Sequence, residues 1–254
     1  MLHDPAETAD RAARLNAAYK HHSAHDALTR ALSDPDVGDV ALVSSFGAES
    51  VALLHMVSVV DRHTPVIFID TEMLFAETLA YQLELAQRLR LTDVRKVSPD
   101  RQDLLEQDNE SMLHLHDPDA CCDLRKTVPL QKALNGLNGW ITGRKRYQGG
   151  QRQALSFFEA DGVHLKVNPL AYWGPSDVQD YMVENRLPRH PLVAQGYPSI
   201  GCAPCTSRVK PGEDPRAGRW RNKQKTECGI HFENGKMVRV PAPDAGADAA
   251  RKFA

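Results

Sequence analysis

The feature that most constrains the fold is a repeated unit: a short apolar, β-branched run that ends in a small-residue loop and leads into a helix. Residues 37–43 form such a run, followed by the loop SSFGAES at 44–50 and a helical pattern through residue 60. PVIFID at 65–70 starts a second unit, with a helical pattern over 75–91; further strands are expected at 92–97, 139–143 and 164–167. Strands apolar on both faces suit a buried parallel sheet, and their alternation with helices predicts an α/β domain. The expected architecture is a mostly parallel twisted sheet with helices on both faces. One or two amphipathic helices are expected over 6–32, short helices beyond Pro175, and a mobile tail from residue 241. The implied division is 1–36 for the N-terminal helices, 37–240 for one α/β domain with an active-site segment at 206–232, and 241–254 for the tail.

The SSFGAES loop falls where a strand hands over to a helix, the place at which open α/β sheets bind ligands. Gly47 lets the backbone approach an anion, and the helix that follows offers free N–H groups and the positive end of its dipole. Ser45 and Ser50 can add hydroxyl donors; an ordinary turn with a serine cap is the plain alternative. The loop matches neither G-x-x-x-x-G-K-[ST] nor G-x-G-x-x-G. It resembles the Ser-x-Gly-x-x-Ser loop of the PP-loop (adenine nucleotide α-hydrolase-like) superfamily. Phe46 stands where ATP-using members carry glycine, which suggests a nucleotide with no pyrophosphate to cradle.

The five cysteines fall into a vicinal pair, Cys121–Cys122, a C-x-x-C at Cys202 and Cys205, and a lone Cys228. In a reducing compartment such groups point to metal binding or catalysis. Four thiolates suit zinc or an iron–sulfur cluster. Adjacent side chains on a helix diverge by about 100°. A cluster with separate irons therefore accommodates the vicinal pair better than one ion does. The pair is expected to precede a helix over 123–134, whose free N–H groups would stabilise thiolates. A strained vicinal disulfide and buried free thiols are the remaining alternatives.

Cys228 lies in KTECGIH at 225–231. Only the thiolate is nucleophilic, and His231 together with nearby cations could lower an ordinary thiol pKa of about 8.5. Between Arg208 and Lys225 there are seven basic residues against two acids, and Arg125, Lys126, Arg144, Lys145, Arg146 and Arg152 add to them. The chain as a whole carries a formal net charge of −2, so these cations are local, not a general nucleic-acid-binding excess. Basic residues beside every cysteine group point to a pocket for a phosphate- and sulfate-bearing anion.

Taken in order, SSFGAES, DTE at 70–72, CCDLRK at 121–126, ITGRKR at 141–146, NPL at 168–170, GCAPCT at 201–206, RAGRW at 216–220 and ECGIH at 227–231 resemble the assimilatory adenylyl-sulfate (APS) reductases, relatives of the phosphoadenylyl-sulfate (PAPS) reductases. The resemblance implies a role in sulfate assimilation and cysteine biosynthesis. It implies that Cys121, Cys122, Cys202 and Cys205 hold a 4Fe–4S cluster, with an electrostatic and structural role. It implies that Cys228 attacks the sulfur of APS, expels AMP and carries sulfite as S-sulfocysteine until reduced thioredoxin releases it. Lys126, Arg216, Arg219 and His231 match residues that hold the phosphosulfate. Ser45, Gly47 and Glu49 lie on the nucleotide loop, and Arg144 and Arg146 are further substrate ligands. The Cys228 segment is expected to move between substrate and thioredoxin.

PAPS reduction, alone or beside APS reduction, is the alternative within the same chemistry. A PP-loop RNA sulfur transferase and a zinc-stabilised binding module are the alternatives outside it; Phe46 and the ECGIH ending disfavour the former. Hydrophobic residues make up 42% and charged residues 25%, ordinary globular values, and no run of about 18 apolar residues occurs. MLHDPAETAD lacks the apolar stretch of a secretory signal, so a cytoplasmic protein without membrane or nucleic-acid partners is expected. LPRHP at 187–191 departs from the more polar loop of many relatives.

Overall fold

The computed structural model describes residues 4–221, 223, 225, 232–233 and 236–237. The chain begins with α1 (Pro5–Tyr19) and α2 (Ala24–Ala31). Asp4 accepts from the Glu7 N–H while Glu7 accepts from the Asp4 N–H, and Ser23 caps α2. The α/β succession follows as β1 (Val40–Val43), α3 (Ser50–Asp61), β2 (Val66–Ile69), α4 (Ala76–Arg88) and β3 (Val94–Val97). Next come α5 (Arg101–Gln107), α6 (Leu113–His116), α7 (Pro118–Cys122), a π-helical turn at Asp123–Thr127 and α8 (Val128–Ala133). Then β4 (Gly139–Ile141), β5 (Phe158–Asp161), β6 (His164–Val167) and α9 (Pro175–Glu184) complete the main body, and β7 (Phe232–Glu233) pairs with β8 (Lys236–Met237). Among the described residues no helix is long and apolar enough to cross a membrane.

The main sheet has the order β3-β2-β1-β4-β6-β5, with every pair parallel except β5–β6. Strand alternation divides the core. Leu42, Val66, Phe68, Ile141, Leu165 and Val167 pack with residues of α1, α2, α3, α4 and α9. Ala41, Ile67, Ile69 and Trp140 face the other way, against Leu130 and Leu134 of the α8 region. This is the mostly parallel sheet with helices on both faces expected from sequence. The strand order reverses between β1 and β4, so their carboxyl ends form a topological switch point, where a crevice for ligands opens.

Two expectations need correction. β5 was not foreseen: FEAD is only four residues long, half of them acidic and none β-branched, and it pairs antiparallel to β6 through a two-residue turn in which Gly162 takes φ 62°. The cysteine pair does not precede a helix N-terminus. It closes α7, whose free N–H groups at Asp119 and Ala120 are satisfied by the Asp117 carboxylate, and the chain continues directly into the π-turn. Among the described residues no helix N-terminus therefore follows the pair directly. π-turns inside helices recur at functional sites, and this one carries Arg125 and Lys126.

The LPRHP loop has a structural explanation. His190 is 1% exposed; its Nδ1 accepts from the Leu192 N–H, which leaves Nε2 to donate to the Thr78 hydroxyl at 3.1 Å. Its ring meets Tyr81 edge-on, and Tyr81 donates to the Pro188 carbonyl. Burial lowers the His190 pKa to about 4. The folded state resists protonation, so the stability contribution is complete above the ordinary histidine pKa and falls as pH drops toward 4. From pH 6.5 to pH 5 this should remove about 2 kcal/mol of unfolding free energy. Urea melts of wild type and His190→Gln will show it: the variant should lose less over that range, and equal slopes would contradict this role for His190.

Candidate active site and cysteine pocket

The carboxyl ends of β1, β2 and β4 open into a cleft of about 940 Å³. Its lining includes Ser45, Gly47 and Glu49 from the loop after β1, and Thr142, Gly143 and Arg144 from the segment after β4. The β1 loop is held in shape by its own serines. Phe46 N–H donates to Ser44 Oγ and Gly47 N–H to Ser50 Oγ. Phe46 adopts φ 49°, a left-handed conformation that favours glycine, and its ring is fully buried edge-on to Phe68. The side chain thus anchors the loop from beneath.

A smaller pocket adjoins the cleft, and Cys121, Cys122, Cys202 and Cys205 all line it, with Thr71, Arg125, Lys126, Arg219 and Trp220. The chain brings its two cysteine pairs together by local ties. Ala203 N–H donates to the Met73 carbonyl at 2.7 Å, Leu74 bridges to Cys202, and Trp220 N–H donates to the Cys205 carbonyl. Thr206 Oγ1 bonds both Gly201 N–H and the Cys202 carbonyl. The other pair is fixed through Arg125, 4% exposed, which donates to Asp108 at 2.7 Å and to the Thr71 carbonyl at 3.0 Å. Thr71 Oγ1 in turn lies 3.2 Å from Cys202 Sγ.

Burial pushes the Cys121 thiol up to about 11, against the opposing effect of Arg125, and raises that of Cys205. As free thiols they would be poor nucleophiles. One ion draws thiolates to bond lengths of about 2.3 Å around a single centre. No three His, Cys, Asp or Glu side chains among the described residues are grouped for that. The four thiols nevertheless line one pocket, a donor set of the kind that zinc or an iron–sulfur cluster takes. The indole N–H of Trp220 and the Nε–H of Arg219 are buried without an acceptor among the described residues. Cluster sulfides would supply acceptors at that wall.

Lys126 and Arg219 line both the cysteine pocket and the cleft, and Arg216 lines the cleft. Arg219 reaches its place only because residue 201 is glycine: a Cβ there would lie 2.3 Å from its guanidinium. Its Nη1 donates to the Ile200 carbonyl, and the group stacks over Trp220 at 4.5 Å. Arg144 lines the cleft while paired with Glu159. Arg146 is not brought to the cleft lining; it donates to the Leu155 carbonyl and lies over the Tyr172 ring at 4.2 Å. Cys228 and His231 lie outside the described residues. Lys223 and Lys225 just before them hold the α6–α7 segment: Lys223 donates to the His114 carbonyl, and Lys225 pairs with Asp119 beside the cysteine pair.

Sequence reasoning missed Lys145, Tyr147 and Thr71 as site residues. Lys145 was read as one more cation of the GRKR run, yet it is 2% exposed and donates to Glu49 Oε2 at 2.9 Å and to the Gly143 carbonyl. Tyr147 donates to the same carboxylate. The position of Tyr147 two residues past Lys145 carried no signal of that contact. Burial lowers the Lys145 pKa, with Glu49 opposing the shift, and burial raises that of Tyr147, with Glu49 reinforcing it.

Breaking a buried ion pair by removing one partner costs about 3–5 kcal/mol. Asp108→Asn should therefore destabilise the fold by about that amount, and a double variant that also carries Arg125→Met should recover part of it. Urea unfolding checks both; an additive loss in the double variant would contradict a buried, mutually compensating pair.

The domain model for the phosphoadenosine phosphosulfate reductase family matches residues 39–208. An adenosine 5′-phosphosulfate reductase of Mesorhizobium japonicum is 47% identical over 88% of this chain and 88% of its own. One from a Chelativorans species is 46% identical over 90% of this chain and 94% of its own. Among solved structures, a phosphate complex of PAPS reductase from Candida auris superposes with a TM-score of 0.66 at 26% identity, over 78% of this chain and 96% of that one. With the matched region spanning the main sheet, the loop after β1 and both cysteine pairs, the chain belongs to the phosphoadenosine phosphosulfate reductase family.

Proposed function

We propose that this protein reduces adenosine 5′-phosphosulfate to sulfite and AMP in sulfate assimilation, with reduced thioredoxin as electron donor. The observation that carries the reading is the sharing of Lys126 and Arg219 between the cysteine pocket and the cleft. It joins a cysteine-lined wall, a cation pair and the loop after β1 in one continuous site. The relatives named above as adenosine 5′-phosphosulfate reductases support the substrate assignment.

In this reading the nucleoside enters past Ser45, Gly47 and Glu49, and the phosphosulfate meets Lys126, Arg216 and Arg219, with Arg144 at the β4 side. Charge-assisted bonds from these cations neutralise the anion and the AMP that leaves. The Cys228 thiolate attacks the sulfate sulfur, a sulfur–sulfur bond forms, and the bond from sulfur to the bridging oxygen breaks as AMP takes the electron pair. His231 holds the phosphosulfate while this occurs. A thioredoxin thiolate then attacks Cys228 Sγ, sulfite leaves with the bonding electrons, and the second thioredoxin thiol resolves the mixed disulfide. Thioredoxin is oxidised by two electrons and the sulfur of APS is reduced by two.

Cys121, Cys122, Cys202 and Cys205 would hold a 4Fe–4S cluster, which contributes a fixed charge distribution beside the substrate anion when bound. The chain's own part is to orient its ligands through Arg125, Thr71 and Thr206. A dithiol donor and a thiolate-held cluster both suit the cytoplasm. ATP-dependent sulfur transfer is disfavoured because the relatives at 46–47% identity are adenosine 5′-phosphosulfate reductases.

Protein purified without oxygen should contain iron and acid-labile sulfide in equal amounts and form sulfite and AMP one-to-one from APS with reduced thioredoxin. Cys202→Ser should lose the iron and the visible absorption, and with them the activity. A colourless, zinc-containing protein, or turnover that requires ATP, would contradict the proposal.

A further inference from the structure

An adenylated sulfate presents a ribose whose 3′ position carries either a hydroxyl or a phosphate, and the two differ in what they offer a protein. A hydroxyl donates a hydrogen bond; a phosphate monoester brings about −1.5 to −2 charges at neutral pH and mainly accepts. The group that faces that position therefore decides between them. An acid on a ribose hydroxyl and a cation on a ribose phosphate is the general division among nucleotide sites.

Three carboxylates line the cleft: Glu49, Glu159 and Asp214. Glu159 is taken up by Arg144 and Asn168, and Asp214 accepts from the Arg216 backbone N–H. Glu49 differs in its setting. It sits at the start of α3, on the nucleotide loop, and is not part of the cysteine pocket where the phosphosulfate cations gather. Beneath it lies a buried cation, Lys145, and beside it the half-exposed Tyr147 phenol; both donate to its oxygens at 2.9 Å. Arg152 also lines the cleft and is close enough to Lys145 to act on its charge. Glu49 is thus a carboxylate cap over a positive floor, with lone pairs left for a hydroxyl donor from the cleft.

We propose that Glu49, held over Lys145 and Tyr147, is the specificity-determining residue that accepts the ribose 3′-hydroxyl of APS and excludes the 3′-phosphate of PAPS. The inference rests on the adenylyl-sulfate reading above and adds the residue that sets its substrate preference. With the cap ionised, a 3′-phosphate meets a like charge with no proton to share. With the cap neutral, the same phosphate meets Lys145 and Arg152. One substitution therefore changes the sign of the charge presented at the ribose, with the phosphosulfate end untouched.

The test compares AMP and adenosine 3′,5′-bisphosphate by calorimetry, and APS and PAPS by kcat/KM, in wild type, Glu49→Gln, Glu49→Ala and the double variant Glu49→Gln with Lys145→Gln. Like-charge juxtaposition costs several kcal/mol, so the wild type should favour the unphosphorylated member of each pair by on the order of 100-fold. Both Glu49 variants should move that ratio at least about tenfold toward the 3′-phosphorylated member. The double variant should lose the gain, because the cation that receives the phosphate is gone. A ratio unchanged in both Glu49 variants, with affinity for the two nucleotides falling together, would overturn the proposal and leave Glu49 a loop-holding residue. A gain that persists in the double variant would overturn the role of Lys145 as receiver. If wild type forms sulfite from neither substrate, the activity is contradicted, and the ratio of nucleotide Kd values still decides for or against Glu49.

Discussion

The buried Arg125 guanidinium joins three parts of the chain that must meet for this site to exist. Its own π-turn follows the vicinal cysteines, Asp108 ends the α5 segment, and the Thr71 carbonyl lies just beyond β2. Thr71 then touches Cys202, and the chain after Met73 binds Ala203. One cation thus sets the spacing between the two cysteine pairs and fixes the pocket against the carboxyl edge of the sheet. A guanidinium suits that position because its planar fork satisfies a carboxylate and a carbonyl together and stays charged when buried. Lysine there would offer one point of charge without the fork.

The cleft is organised by the same rule of paired charge. Lys145 and Arg144 are each matched to a carboxylate, Glu49 and Glu159. Lys126 and Arg219 occupy the shared wall next to the thiols. The chain is slightly acidic overall, yet its cations are concentrated where a phosphosulfate would lie. A cavity lined in this way attracts an anion without making the surface generally basic.

Much of this was legible in sequence because the relevant signals are local. Residues 40–43 and 66–69 are apolar on both faces, which only a covered strand tolerates, and the loop after the first strand carries its own small residues. The grouping of four cysteines in two pairs pointed to a shared place, and all four line one pocket. What was not legible depends on pairing across long separations. Nothing near Lys145 in sequence reveals Glu49 as its partner, and the GRKR run reads as uniform charge although Lys145 is buried, Arg144 faces the cleft and Arg146 turns to Tyr172. β5 was missed because its polar residues pair at the edge of a sheet that only the folded chain defines. The helix N-terminus expected after Cys122 failed because α7 begins earlier, at Asp117–Pro118, with a side-chain cap that the spacing of the cysteines does not show.

Cys228 is where the proposed mechanism is most exposed, because the proposed chemistry passes through that one thiol. Incubating the protein with isotopically labelled APS, without thioredoxin, and weighing the intact chain tests it most directly. The account predicts a single sulfite-derived adduct on the wild-type chain and none on Cys228→Ser, with iron content equal in both. An adduct that persists in Cys228→Ser, or APS turnover by that variant, would contradict it.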